Sequence, residues 1–198
     1  MGLNLEYNNG QTPIDDDEKE GLKIKSISNR KELDEFEQVN IQKAVKWSLK
    51  NNVTIDKILT EDFIKLLHKK MFDEVWKWAG SYRTSNKNIG VDKFEIGFEL
   101  KNLIDDSRLW YSDKVFTPDE FTIRLKHRLV KIHLFPNGNG RHSRLFADII
   151  ITKIFNLPVF SWGNKNLTTI SDVRSQYISA LKIADEGDYS KLIKFSRS

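Results

Sequence analysis

The chain has 198 residues, 39% hydrophobic and 30% charged, with a formal net charge of +4. That balance suits one domain with a sizeable core, and no apolar run reaches the length a membrane span needs. The absence of cysteine excludes disulfides and thiolate metal sites and fits a reducing cytoplasm. The surplus positive charge is mixed with acids in short runs, which argues against a nucleic-acid binder.

Residues 1–28 are polar and carry an acidic cluster, Asp15, Asp16, Asp17 and Glu18; they read as an extended arm ahead of a domain at 29–198. Met1–Gly10 lacks the basic and apolar regions of a signal peptide, and Glu6 stands where a myristoylation site after Gly2 needs Ser or Thr.

Asn29 followed by Glu32 is a helix-start signature. The helix behind it has an apolar stripe, Leu33, Phe36, Ile41, Ala44 and Trp47, with Glu37 and Asn40 lying inside it. A carboxylate on a buried face is costly unless it is paired. An edge position or a local hydrogen bond is the plainer alternative. Thr60 caps a second helix, whose Phe63, Leu67, Met71 and Val75 keep helical spacing. Residues 84–96, with their Asn, Gly, Val and Asp content, suit a short hairpin. Leu100, Leu103, Ile104 and Trp110 mark the next helix. Thr117-Pro118-Asp119-Glu120 is a strong start, with Thr as N-cap, Pro at the first helical position and Glu to complete a capping box. Phe121, Leu125, Leu129 and Ile132 then run in one stripe up to His133.

Residues 133–144 read His-Leu-Phe-Pro-Asn-Gly-Asn-Gly-Arg-His-Ser-Arg. A Gly-rich turn feeding a helix offers backbone N–H groups and the positive end of the helix dipole to an anion. Arg141 and Arg144 are three apart and share one helical face. Two guanidinium groups beside a backbone nest suit a polyphosphate. His133 can take a proton near neutral pH. A lone Gly-x-Gly is usually a turn, a lone His a packing residue and an Arg pair a solvated face. Their density in one loop favours a phosphate-handling site. Leu145, Phe146, Ile149 and Ile150 bury the helix that follows.

The loop resembles the signature of the Fic (Fido) family, His-x-Phe-x-Asp/Glu-Gly-Asn-Gly-Arg-x-x-Arg, with Asn137 where the family usually has an acid. The resemblance runs from about Phe36 to Phe195. Trp78–Arg83 followed by Asn88–Val91 is similar to the family's approach to its flap, and Tyr177–Tyr189 to its closing helices. The loop, together with Thr12-Pro13-x-Asp15-x-Asp17-Glu18, resembles the subgroup called mobile mystery protein B.

The resemblance implies an all-α, mainly helical fold with a short β-hairpin flap. It implies transfer of AMP from ATP, with Mg²⁺, to a Ser, Thr or Tyr hydroxyl of a target protein. His133 would be the general base. Phe135 would anchor the nucleotide loop, Gly138, Asn139 and Gly140 would cradle the phosphates, and Arg141 and Arg144 would bind the β- and γ-phosphates. Asn88, Ile89, Gly90 and Val91 would line the target-binding flap. Asn137 would be a poor magnesium ligand, since Mg²⁺ prefers anionic oxygen. That leaves a metal held by phosphate and water, a different nucleotide or donor orientation, or a binding-only relative. Leu33-x-x-x-Glu37-Gln38 resembles in place the family's inhibitory helix, with Glu37 expected to pair with Arg144 and hold the site off. Glu186-Gly187 fits the closing helix instead, because Lys182 replaces the needed Ser or Thr. Doc-type phosphotransferases lack the second glycine, which Gly140 retains. A catalytically weak nucleotide- or protein-binding module of a mobile element is the alternative from another class.

Overall fold

The protein is described from a computed structural model over residues 12–163 and 171–198; the first part of the arm, 1–11, lies outside the described residues. The described residues form helices and turns, with an isolated antiparallel bridge between Leu22 and Trp76, and no strand among them. The helices are α1 (Asp16–Lys19), α2 (Arg30–Lys50), α3 (Ile55–Ile58), α4 (Glu61–Phe72), α5 (Ile96–Ser112), α6 (Pro118–Ile132), α7 (Asn139–Lys153), α8 (Ser171–Asp185) and α9 (Ser190–Ser196).

Local chemistry sets the boundaries. The side chains of Asn29, Thr60 and Thr117 each accept from the backbone N–H three residues on, satisfying a donor left over at the helix start. The capping box expected at Thr117 is only half made, because the Glu120 carboxylate turns to Arg124 at 2.9 Å. α6 ends at His133 in a left-handed conformation (φ 60°, ψ 62°), and α7 begins after Gly138 in another (φ 79°). A Cβ on Gly138 would lie 2.6 Å from the Phe72 ring, so no side chain fits there.

The core runs between α2, α4, α5, α6 and α7; a second cluster, with Ile151, Phe160, Tyr177, Leu192 and Phe195, closes the far end. The buried face of α2 is Leu33, Glu37, Asn40, Ala44 and Ser48. Phe36, expected in the stripe, is 44% exposed. The polar residues therefore sit at the centre of the buried face, not at its edge. Asn40 earns its place by bridging α4 and the turn after it: its amide donates to the Lys70 carbonyl and its oxygen accepts from Glu74 N–H.

The expected hairpin at 84–96 does not form. Side chains take over the backbone groups that a ladder would use. The Arg83 guanidinium donates to the carbonyls of Ser85, Val91 and His133, and Asn86 Oδ1 accepts from Lys93 N–H. The segment pairs instead with the end of α6 and the loop beyond it, through Arg83 N–H to Leu134 O and Val91 N–H to Ile132 O.

The arm is docked from Thr12 onward. Ile14, Leu22 and Ile27 are buried in the core. Lys23 N–H donates to Val75 O, Lys77 N–H to Gly21 O, and the Trp78 indole to Glu18 O. Within the acidic cluster, Asp15 and Glu18 both pair with Lys87, at 2.7 and 2.6 Å, Glu18 buried and Asp15 at the surface.

Candidate active site

α6 delivers His133 and α7 delivers both arginines, as the sequence suggests, to one cavity of about 200 Å³. Thr12, His133, Asn137, Gly138, Asn139, Gly140, Arg141 and Arg144 line it, with Arg30, Arg174 and Tyr177 farther along. Four arginines stand there against one acid, Asp34. The Arg174 pKa is lowered first by burial and then by the charge of Arg144, with Arg30 adding to it. A bound anion would relieve that mutual repulsion.

The loop is held from beneath. Phe135 is fully buried and stacks on His68 at 3.7 Å between ring centroids. It therefore supports the loop from the core side, the anchoring role expected of it, and makes no direct nucleotide contact because it does not line the cavity. Asn139 Oδ1 accepts from Phe135 N–H (3.0 Å), and its amide donates to Phe135 O (2.7 Å), tying the loop to itself. The first helical bond of α7 is His142 N–H to Gly138 O, so the amides of 139–141 precede the ladder and form the nest.

Three support residues were not singled out from the sequence. His68 Nδ1 accepts from Gly80 N–H, so Nε2 carries the proton and donates to Asn137 O at 3.0 Å. His142 holds Ile64 O. Arg83 clamps the flap onto His133. A histidine at a helical core position, such as 68 between Ile64 and Met71, was the one available signal.

His133 is 4% exposed. Burial, then the charges of Arg83 and Lys87, hold its pKa at about 4, against a weak opposing bond with Val130. The imidazole is thus neutral at physiological pH and can accept a proton. Its Nε2 lies 3.3 Å from the Thr12 hydroxyl. The flap residues Asn88, Ile89 and Gly90 are exposed and Val91 half-buried. Gly90 passes so close that a Cβ there would sit 2.6 Å from His133 Cβ.

Glu37 is 1% exposed and paired, but with Arg141 rather than Arg144. One oxygen accepts from the Trp76 indole at 2.6 Å and the other from Arg141 at 2.5 Å. The correction has a physical basis. α2 crosses α4 beside Trp76, which brings Glu37 to the first turn of α7. Arg144, one turn on, is drawn to Tyr177 of α8. Burial alone would raise the Tyr177 pKa, but Lys126 and Arg144 outweigh it and lower it. The fully buried Lys126 ammonium donates to the same phenol oxygen.

The residues present do not make a cradle for Mg²⁺. The oxygen of Asn137 faces donors, Gly138 N–H at 2.7 Å and Arg141 at 3.3 Å. No cluster of three or more His, Cys, Asp or Glu among the described residues could hold a metal ion. Among those residues no helix is long and apolar enough to cross a membrane.

Residues 58–151, which include the loop and the helices on either side of it, match the model of the Fic/DOC family. The chain is 24% identical over 179 residues to the protein adenylyltransferase Fic of Aedes aegypti, covering 88% of this chain and 34% of that protein. It is 24% identical over 147 residues to protein adenylyltransferase fic-1 of Caenorhabditis elegans, covering 71% and 27%. The chain thus spans about a third of the length of the curated relatives it matches. Among solved structures it resembles the BepC protein of Bartonella tribocorum with bound AMPPNP, with a TM-score of 0.66, 17% identity, and coverage of 88% of this chain and 89% of that one. Fic-1 of C. elegans gives a TM-score of 0.65 at 20% identity, covering 81% and 47%. The fold is the mainly helical fold of these Fic proteins.

Proposed function

We propose that this chain is a protein adenylyltransferase, moving AMP from ATP to a Ser, Thr or Tyr hydroxyl of a protein. The observation that carries the reading is that a neutral, buried imidazole and a cationic anion nest open onto the same cavity. In this reading His133 takes the proton of the acceptor hydroxyl, which is a poor nucleophile until deprotonated. The amides of 139–141 and the guanidinium groups of Arg141 and Arg144 stabilise charge on the phosphates as pyrophosphate leaves. Asn139 keeps the loop in shape. The exposed part of the flap, Asn88 to Gly90, anchored by Val91, receives the target's segment. The relatives named adenylyltransferases and the AMPPNP-bound Bartonella structure support this choice of donor. Any Mg²⁺ would arrive on the phosphate oxygens of ATP, with Asn137 adding no anionic ligand. A nucleotide-dependent enzyme without cysteine fits the cytoplasm.

Glu37 is the inhibitory residue in this account. While it holds Arg141, that guanidinium is unavailable to the phosphates, so the resting site is biased off. The test is incubation of the Glu37→Gly chain with ATP labelled at the α-phosphate and a mixture of protein acceptors. Label on a hydroxyl side chain with release of pyrophosphate is expected. ATP binding without transfer would point to a nucleotide-binding module instead.

A further inference from the structure

The arm enters the site in a specific register. Thr12 is 9% exposed, and its hydroxyl lies within hydrogen-bonding distance of His133 Nε2, at 3.3 Å. The Asn137 amide donates to the Thr12 carbonyl at 3.0 Å. That contact needs an N–H donor, which an acid at 137 would lack. Asn137 therefore acts as a hook for the arm, which gives the departure from the family pattern a physical reason. Behind Thr12 the arm is fastened by Asp15, which accepts from Ser85 and Lys87, and by Glu18, which accepts from Lys87. These contacts fix which residue reaches the imidazole.

We propose that Thr12 is itself an acceptor: its hydroxyl occupies the acceptor position, and the chain nucleotidylates its own arm. This rests on the transferase reading above. The step balances without a further reactant. Thr12 Oγ1 bonds to the α-phosphorus of a nucleoside triphosphate as the bond from that phosphorus to the α–β bridging oxygen breaks. Pyrophosphate leaves, and the hydroxyl proton passes to His133 Nε2 and on to water. Because donor and acceptor sites lie in one molecule, the reaction is intramolecular. The modified arm carries an added phosphodiester and nucleoside, too large for the present fit of Thr12 against His133 and Asn137.

The experiment uses the full chain and its Glu37→Gly variant with α-labelled ATP, in the presence and absence of lysate proteins. The label is located by mass spectrometry. The proposal expects label on Thr12, at a fraction per unit time unchanged by dilution of the protein. Thr12→Val should lose this label and Thr12→Ser should keep it. Asn137→Asp should lower labelling of Thr12 relative to labelling of other acceptors. If lysate proteins are labelled while Thr12 is not, the arm is only a cover, and this inference fails with the transferase reading intact. If neither chain transfers AMP to any acceptor, the transferase reading fails and the inference with it.

Discussion

The loop at 133–144 and the arm at 12–28 meet at His133, yet they are held in opposite ways. The loop is fixed by buried packing: Phe135 on His68, Gly138 against the Phe72 ring, and Asn139 bonded twice to Phe135. Around Thr12 the arm is held by polar contacts, chiefly the ion pairs of Lys87 with Asp15, 46% exposed at its side chain, and Glu18. Packed interiors are not continuously deformable; of the two ion pairs, only the one to Asp15 is open to water, while Lys87 and Glu18 are buried. The difference teaches that the loop is fixed by buried packing, whereas the stretch of arm over His133 depends on a few polar contacts in front of its buried Ile14.

Removing the base tests the fixed half. His133→Ala should lower AMP transfer by about two to four orders of magnitude while ATP affinity, measured by calorimetry, stays close to wild type. Wild-type transfer in this variant would contradict the role of His133.

The interior itself can be titrated. His142 is fully buried beneath the loop, and burial lowers its pKa from 6.5 to about 4, against a smaller opposing bond to Ile64. Between those values the unfolded chain binds a proton that the folded chain refuses. Stability should therefore fall as pH drops from 6.5 towards 4, by about 3 kcal/mol from this residue. His133 adds in the same direction. Denaturant unfolding at pH 7 and pH 4.5 checks this; equal stability would mean these imidazoles are not buried neutral.

Glu37 reaches Arg141 from the core. Glu37→Gly should raise transfer by roughly 5- to 150-fold, the usual range of a coupling between sites. Arg141→Ala should stay inactive in either background. An unchanged rate in Glu37→Gly would make Glu37 a purely structural partner of Trp76.

Lys87 tests the arm. Lys87→Ala removes both charge-assisted contacts to the arm, worth about 1.5–3 kcal/mol each at most. Amide exchange within 13–22 should quicken by about tenfold or more while amides of α6 and α7 keep their protection. Matching loss in both regions would show that arm and loop open together.

Much of the fixed half was legible in the sequence because its signals are local. Asn29, Thr60 and Thr117 cap as their spacing predicts, and His133, Gly138 and Arg141 reach one cavity because one short loop between two helices carries them. Glu37 was legible as a buried acid, but its partner was not. Arg141 and Arg144 are equivalent by spacing, and only the crossing of α2 and α4 chooses between them. The flap misled because Arg83, an ordinary charge in sequence, replaces a strand ladder with its guanidinium. The docking of the arm was hidden for a similar reason: Thr12 and His133 are 121 positions apart, and no periodicity links them.

The central claim, AMP transfer from ATP by way of His133, is tested most directly by parallel reactions with ATP labelled at the α- or the γ-phosphate, using the Glu37→Gly chain. The account predicts protein-bound label from the α position only, with pyrophosphate released and transfer in Glu37→Gly/His133→Ala lower by about two to four orders of magnitude. Protein-bound label from the γ position, or transfer at an undiminished rate without His133, would contradict it.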